Sequence, residues 1–206
     1  ELNLAGVPNR TWVSRHLIYT HGCGIVAAPA SRVTVDGRPT YIDIGVKTPQ
    51  LYVGEGLDGY SIVGTNQIEQ ACPDTKATAY SGTGGVKLSS PTRRVAFALN
   101  FGEYNLFGSN LISSESRIMW IRNVKERVQK IAPFFNYDAD PYPAVVDGKV
   151  VWILDAFTTS SRYPNSQSAN TDQLSAGSGL NTTFNYVRNS VKVVVDAYSG
   201  EATFYQ

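Results

Sequence analysis

The chain is poor in the residues that most often carry chemistry. Its 206 residues include two cysteines, two histidines and one methionine. With so few soft ligands, a closed zinc site would have to use every His and Cys in the chain, and none is assigned. Long apolar runs are missing as well. Stretches such as "IVAA" and "VVWIL" fall far short of the roughly 18 apolar residues that a membrane-spanning helix needs. Charged residues make up 17% of the chain, and the formal net charge is +1. That balance lacks the basic patch or tail of a phosphate-driven partner, so nucleic acid is not an expected partner. The Gly-rich "SGTGGV" (81–86) is not followed by Lys-Ser or Lys-Thr, so it is no phosphate loop. The serines lack a G-x-S-x-G context. No cofactor and no metal site is expected.

What is present describes an ordinary globular chain. Hydrophobic residues make up 42%, and there are 12 tyrosines and 18 glycines. The length is enough for a sizeable core, and the mixture reads as β-rich with long polar loops. The spacing predicts a helix over 9–24, capped by Asn9 or Thr11, with Val13, Leu17 and Ile18 on its buried face and Gly22 and Gly24 as its stop. An Asp36-Gly37 turn leads into an expected strand at 40–44, and short β-segments flank Asp58-Gly59. Residues 64–90 read mostly as loop. Ser90 before Pro91 begins a helix that Gly102 ends. Ile118, Ile121, Val124, Val128 and Ile131 recur at three- and four-residue steps and predict a helix over 113–133, stopped by Pro133. Ile121 and Val128 should be buried. Arg122, Glu126 and Lys130 share the opposite face, read as solvated. Hairpins are expected at Asp147-Gly148 and Ser199-Gly200, with a long surface loop over 160–184. The fold class is α+β: hairpins and short strands with about three helices, in a single domain over 1–206.

The reactive letters cluster in "THGCG" (20–24). At a helix C-terminus the dipole disfavours a Cys23 thiolate, which argues against a nucleophile. His21 is then a helix-terminal or core hydrogen-bonding residue. His16 and His21 lie five residues apart, about 140° around a helix, and do not face one metal. In "YDADPYP" Asp138 and Asp140 could share a cation, but Lys149 stands where an EF-hand needs its Glu, and both read as turn formers. Two functions remain. One is a non-catalytic binding or assembly module, which the poverty of His and Cys favours. The other is a hydrolase, metal-assisted or not, using His21 with Asp138, Asp140 or Asp155. Convergence of His21 and a carboxylate in one cleft would favour the second.

Several long strings carry a resemblance: "THGCGIVAAPASRV", "ESRIMWIRNVKERVQKIAPFFNYDADPYP", "GKVVWILDAFTTSSRYPNS" and "NYVRNSVKVVVDAYSGEATFY". They resemble an uncharacterised family of very large bacterial membrane proteins, found in actinobacteria, cyanobacteria and clostridia. The resemblance runs from about residue 15 to the end. It implies several membrane spans near the N-terminus of a parent protein and a large water-soluble remainder. This chain, which starts at Glu1, would be an extracytoplasmic part of that remainder. Its link to the cell membrane would be the parent's spans, and a protein partner or self-association is expected. The "VVVDAYSGE" hairpin is also similar to the strand-turn-strand signature of small extracytoplasmic peptidase-propeptide-like domains. The chain departs from the family where it has Cys23, Cys72 and Asn165 in place of aromatics. The paired change at Cys23 and Cys72, the even cysteine count and the implied compartment together point to one disulfide. Such a bridge would close a loop of about 50 residues and stabilise by roughly 4 kcal/mol. The alternative is two separate buried thiols.

Overall fold

The fold was obtained as a computed structural model, which describes residues 11–72, 75–77, 79–174, 178–180 and 183–206. Asn9 and the start of the first expected helix lie outside them. From Trp12 the chain does wind helically, as a π-helical turn over Ser14–Ile18, but it ends at Tyr19. Gly22–Cys23 is a short strand, β1, paired antiparallel with β2 (Gln50–Leu51). Cys23 is therefore not at a helix C-terminus, and the dipole argument against its reactivity does not apply. Residues 40–44 form no strand either. The chain between β1 and β2 is a long arm, exposed over 30–43, with bridges at Ala27–Ile42 and Val33–Pro39 along it, while at its root Ile25 and Val46 pack on the main core and Thr48 bridges to Lys149.

Three strands, β3 (Ser61–Val63), β4 (Val86–Lys87) and β5 (Arg117–Met119), make a small antiparallel sheet in the order β3-β5-β4. Helix α1 (Pro91–Phe101) begins as its sequence demands. The Ser90 hydroxyl accepts the Arg93 N–H at 3.3 Å, proline takes the first turn, and Gly102 closes the helix at φ 63°. With the short helix α2 (Asn105–Gly108) it covers a core of Leu17, Tyr60, Ile62, Leu88, Leu106 and Ile118.

The expected helix over 113–133 divides in two. Its first half is strand β5, and only Val124–Ile131 is helix, α3. The break falls at Ile121, whose φ of 55° is left-handed. Asn123 then caps α3 by accepting the N–H groups of Lys125 and Glu126 at 3.1 Å each. The apolar spacing had a second solution. Ile118 fills the small-sheet core, while Val124 and Val128 fill another. Ile121 itself is only half-buried, whereas Val128 is buried and Glu126 exposed as expected.

That other core belongs to the main sheet. Strand β8 (Lys149–Ser160) is its spine, with β9 (Tyr186–Asp196) and then β10 (Ala202–Tyr205) on one side. On the other side β7 (Tyr142–Val146) and β6 (Asn136–Tyr137) pair with successive stretches of β8. Both predicted hairpins form. Asp147 and Gly148 turn at φ 53° and 82°, the type I′ signature that matches strand twist. Val150, Trp152 and Leu154 of β8 and Val193 and Val195 of β9 pack with α3. The segment after β8 is largely exposed, with a 3₁₀ turn at Thr171–Gln173. The architecture is α+β and antiparallel throughout its sheets. The Gly-rich stretch before β4 is a packing device: a Cβ on Gly84 would collide with the Ser199 carbonyl oxygen.

Replacing Leu154, which is fully buried, with Ala should cost about 2–5 kcal/mol in chemical denaturation. Ile121→Ala should cost clearly less. Equal losses at the two sites would contradict this assignment of the core.

Candidate functional site: a disulfide beside an apolar cleft, backed by a buried charged network

Cys23 and Cys72 are joined as a disulfide, with Cα atoms 5.4 Å apart. The two sulfurs sit in different surroundings. Cys23 is exposed on β1, whereas Cys72 is 4% exposed. His21 is buried behind the bridge. Its Nδ1 lies 2.9 Å from the Gly22 carbonyl oxygen. A carbonyl can only accept, so Nδ1 carries the proton. The same nitrogen lies 3.9 Å from Cys72 Sγ. Its ring meets Tyr52 edge-on, with centroids 5.1 Å apart. His21 is thus not a helix-terminal residue but a core one, immediately before the strand that carries Cys23. His16 is elsewhere: its Nδ1 is 2.8 Å from the Tyr60 carbonyl oxygen and its ring stacks on Tyr60.

On its exposed side the bridge borders a cleft of about 430 Å³. Leu51, Leu57, Pro143 and Trp152 form apolar walls, and Gly24, Gly54 and Gly56 contribute bare backbone. Trp152 is fixed by donating its indole N–H to the Val53 carbonyl at 3.0 Å.

Behind Tyr52 lies a feature that the sequence reading missed. Arg122, expected on a solvated helix face, is 3% exposed, and Glu69 is equally buried. Arg122 donates to the Tyr52 carbonyl at 2.9 Å, the Ser61 hydroxyl at 2.7 Å and the Thr20 carbonyl at 2.6 Å. Glu69 accepts from the Thr20 hydroxyl at 2.5 Å, the Tyr52 hydroxyl at 2.7 Å and the Tyr80 N–H at 3.0 Å. Thr20 and Tyr52 therefore join both charges: each gives its carbonyl to the cation and its hydroxyl to the anion. Burial depresses Arg122 to about 10. Burial, reinforced by Glu69, pushes the Tyr52 phenol well above its usual range. A strand-period reading of "RIMWIRNV" would have put Arg122 in phase with buried Ile118. Glu69, in a polar loop, left no comparable signal.

The carboxylates proposed for a hydrolase lie apart from His21. Asp155, on β8, pairs with Lys192 and accepts from Asn189 at 2.9 Å. Burial alone would raise its carboxyl, but the bonds from Lys192 and Asn189 outweigh it and hold it below the usual range. The Asp138 N–H donates to the Asp155 carbonyl, and the Asp138 side chain accepts the Asp140 N–H at 3.2 Å, the turn-forming role expected of it. None of His21, Asp138, Asp140 and Asp155 lines the cleft at the disulfide. A second, more polar cleft of about 690 Å³ is bordered by Lys47, Lys76, Lys149 and Glu201, again without them. Among the described residues, the three potential ligands close enough together to share an ion are His21, Cys23 and Cys72, two of which are already bonded to each other.

Stability should fall in alkali, and the tyrosines set the sign. Burial raises the Tyr60 and Tyr137 phenols from 10.0 to about 12, and raises Tyr52 and Tyr80 too. The unfolded chain releases these protons near pH 10, the folded chain later. The contribution of Tyr60 and Tyr137 is full below about pH 10 and is lost as pH rises through about 12. Arg122 and Arg127, both lowered by burial, work in the opposite direction. The four phenols outnumber them. Denaturant midpoints should therefore drop between about pH 10 and 12, with tyrosinate absorbance rising in the same transition. A constant midpoint across that window would refute the reading.

No solved structure matches the chain. Sequence relatives are plentiful. A UPF0182 protein of Kineococcus radiotolerans is 44% identical over an alignment that takes in all of this chain and 23% of that protein. A UPF0182 protein of Streptomyces coelicolor is 41% identical and one of Methanospirillum hungatei 42%, again across the whole chain and 23% and 24% of theirs. The chain thus spans about a quarter of the length of the curated relatives it matches. The model of one uncharacterised protein family covers residues 1–206, and with these relatives it establishes that the chain belongs to that family, UPF0182.

Proposed function

We propose that this chain is a non-catalytic binding or assembly module, held on the extracytoplasmic side of a cell membrane by the rest of a longer protein. The observation that carries this reading is the arm between β1 and β2. Residues 30–43 are all exposed. Along the arm Val33, Val35, Tyr41 and Ile42 turn their side chains to solvent, and Val26 at its root is 77% exposed. The arm still has a defined shape. Its tip is closed by the Thr34 N–H donating to the Arg38 carbonyl at 2.8 Å and the Gly37 N–H donating to the Thr34 carbonyl at 2.9 Å. A shaped, apolar and uncovered projection is what contact with another protein surface uses. The disulfide supports the compartment, since such bridges persist in oxidising surroundings. His21, Asp138, Asp140 and Asp155 line neither the cleft at the disulfide nor the larger polar one, so neither cleft supports the hydrolase reading.

The test is a chain carrying Val33→Ser, Val35→Ser and Tyr41→Ser. Sedimentation velocity would follow self-association, and co-purification would follow binding to the remainder of the parent protein. Association should be lost by at least one measure while the melting temperature stays within a few degrees. Association in neither assay, or association indifferent to the substitutions, would overturn the proposal.

A further inference from the structure

We propose that the Cys23–Cys72 bridge is an exchangeable disulfide that captures a cysteine-bearing peptide segment seated in the apolar cleft beside it. The inference does not rest on the arm. It rests on the asymmetry of the bridge. Thiol–disulfide exchange requires an incoming thiolate to reach one sulfur while the other leaves, and it runs faster when the leaving thiolate is stabilised. Cys23 is the exposed residue of the pair and borders the cleft. Cys72 is the buried one, and His21 Nδ1 lies 3.9 Å from its sulfur. Attack from the cleft therefore releases the sulfur that lies beside the His21 ring, where a new thiolate can draw on the N–H now given to the Gly22 carbonyl. His21 is a positioning residue in this scheme. It touches the leaving group, and its own orientation is held by the Gly22 carbonyl.

The step balances without any further oxidant. A peptide thiolate forms a bond to Cys23 Sγ, the Cys23–Cys72 bond breaks, and the electron pair leaves on Cys72 as a thiolate facing His21. The product is a mixed disulfide between peptide and Cys23. Return attack by Cys72 regenerates the starting bridge and frees the peptide. A second peptide thiolate attacking the mixed disulfide instead yields an oxidised peptide pair and a protein dithiol, two electrons having moved to the protein.

The cleft argues for a peptide over a small free thiol. At about 430 Å³ it has room for side chains flanking the reacting cysteine. Leu51, Leu57, Pro143 and Trp152 offer them apolar walls. Gly24, Gly54 and Gly56 add stretches of lining without side chains of their own, where a main chain can approach.

The experiment uses the oxidised chain as it is. In one arm it meets a short peptide with a single cysteine between leucine and phenylalanine. In the other it meets glutathione at equal thiolate concentration. Reactions are quenched in acid, free thiols are alkylated, and mass spectrometry locates the mixed disulfide and gives the rate. The adduct should sit on Cys23 with Cys72 alkylated. The peptide should react about tenfold faster than glutathione. Equal rates with the adduct still on Cys23 would keep the exchange and assign it to small thiols, overturning the peptide. An adduct on Cys72, or no opening while the protein stays folded, would overturn the exchange itself. His21→Ala should slow opening about tenfold, and His21→Asn, which restores an N–H donor, should recover most of it. If His21→Ala fails to fold, the site of the adduct in the unaltered chain still decides. Unchanged rates in a folded His21→Ala would remove His21 from the scheme.

Discussion

Arg122 is the interaction on which the rest of the architecture leans. It stands between β5 and α3, so the residues before it belong to the small-sheet core and those after it to the main-sheet core. A guanidinium at 3% exposure is tolerable only if its donors are met, because burying an unpartnered charge costs many kcal/mol. Its partners come from Thr20, Tyr52 and Ser61, three segments distant in sequence. Glu69 completes the arrangement by taking the hydroxyls of the first two. The network turns two apolar cores and a loop into one body, and through Thr20 it positions His21 and the strand that carries Cys23. Tyr52 extends it outward, meeting Tyr80 and Tyr198 edge-on at 4.8 and 5.3 Å.

The disulfide sits at the rim of that network and closes the loop over 23–72, which contains the arm, β2 and β3. One end of the bridge is anchored in the buried layer and the other faces a cleft. The same geometry serves two ends. It staples the root of an exposed arm, and it leaves one sulfur open to attack from a surface shaped for apolar groups.

Much of the main sheet was legible in the sequence. Asp147-Gly148 and Ser199-Gly200 stand between β-branched runs, and local turn chemistry suffices to form both hairpins. Ser90-Pro91 and Gly102 bounded α1 for the same local reason. The family was legible too, from long strings. What escaped was decided by distant contacts. Ile118 to Ile131 fits a helical period, but the pairing of Ile118 with Ile62 and Val86 makes the first part a strand. The helical reading then placed Arg122 on a solvated face, when its partners lie on three other segments. "HGCG" read as a helix stop because glycines end helices, yet the π-helical turn finishes earlier and the glycines serve β1 and the arm's root. The site was legible only in its letters. That His21 backs Cys72, and that Trp152 walls the cleft, follow from tertiary packing alone.

The most direct test of this account is a double-mutant cycle between Arg122→Met and Glu69→Gln, read by urea denaturation. If the two buried charges act as one network through Thr20 and Tyr52, Arg122→Met alone should cost about 3–5 kcal/mol. The double substitution should cost less than the sum of the singles by about 1–3 kcal/mol. Losses that add to within about 0.5 kcal/mol would mean that the two groups are independent, and the network would not be what joins the two cores.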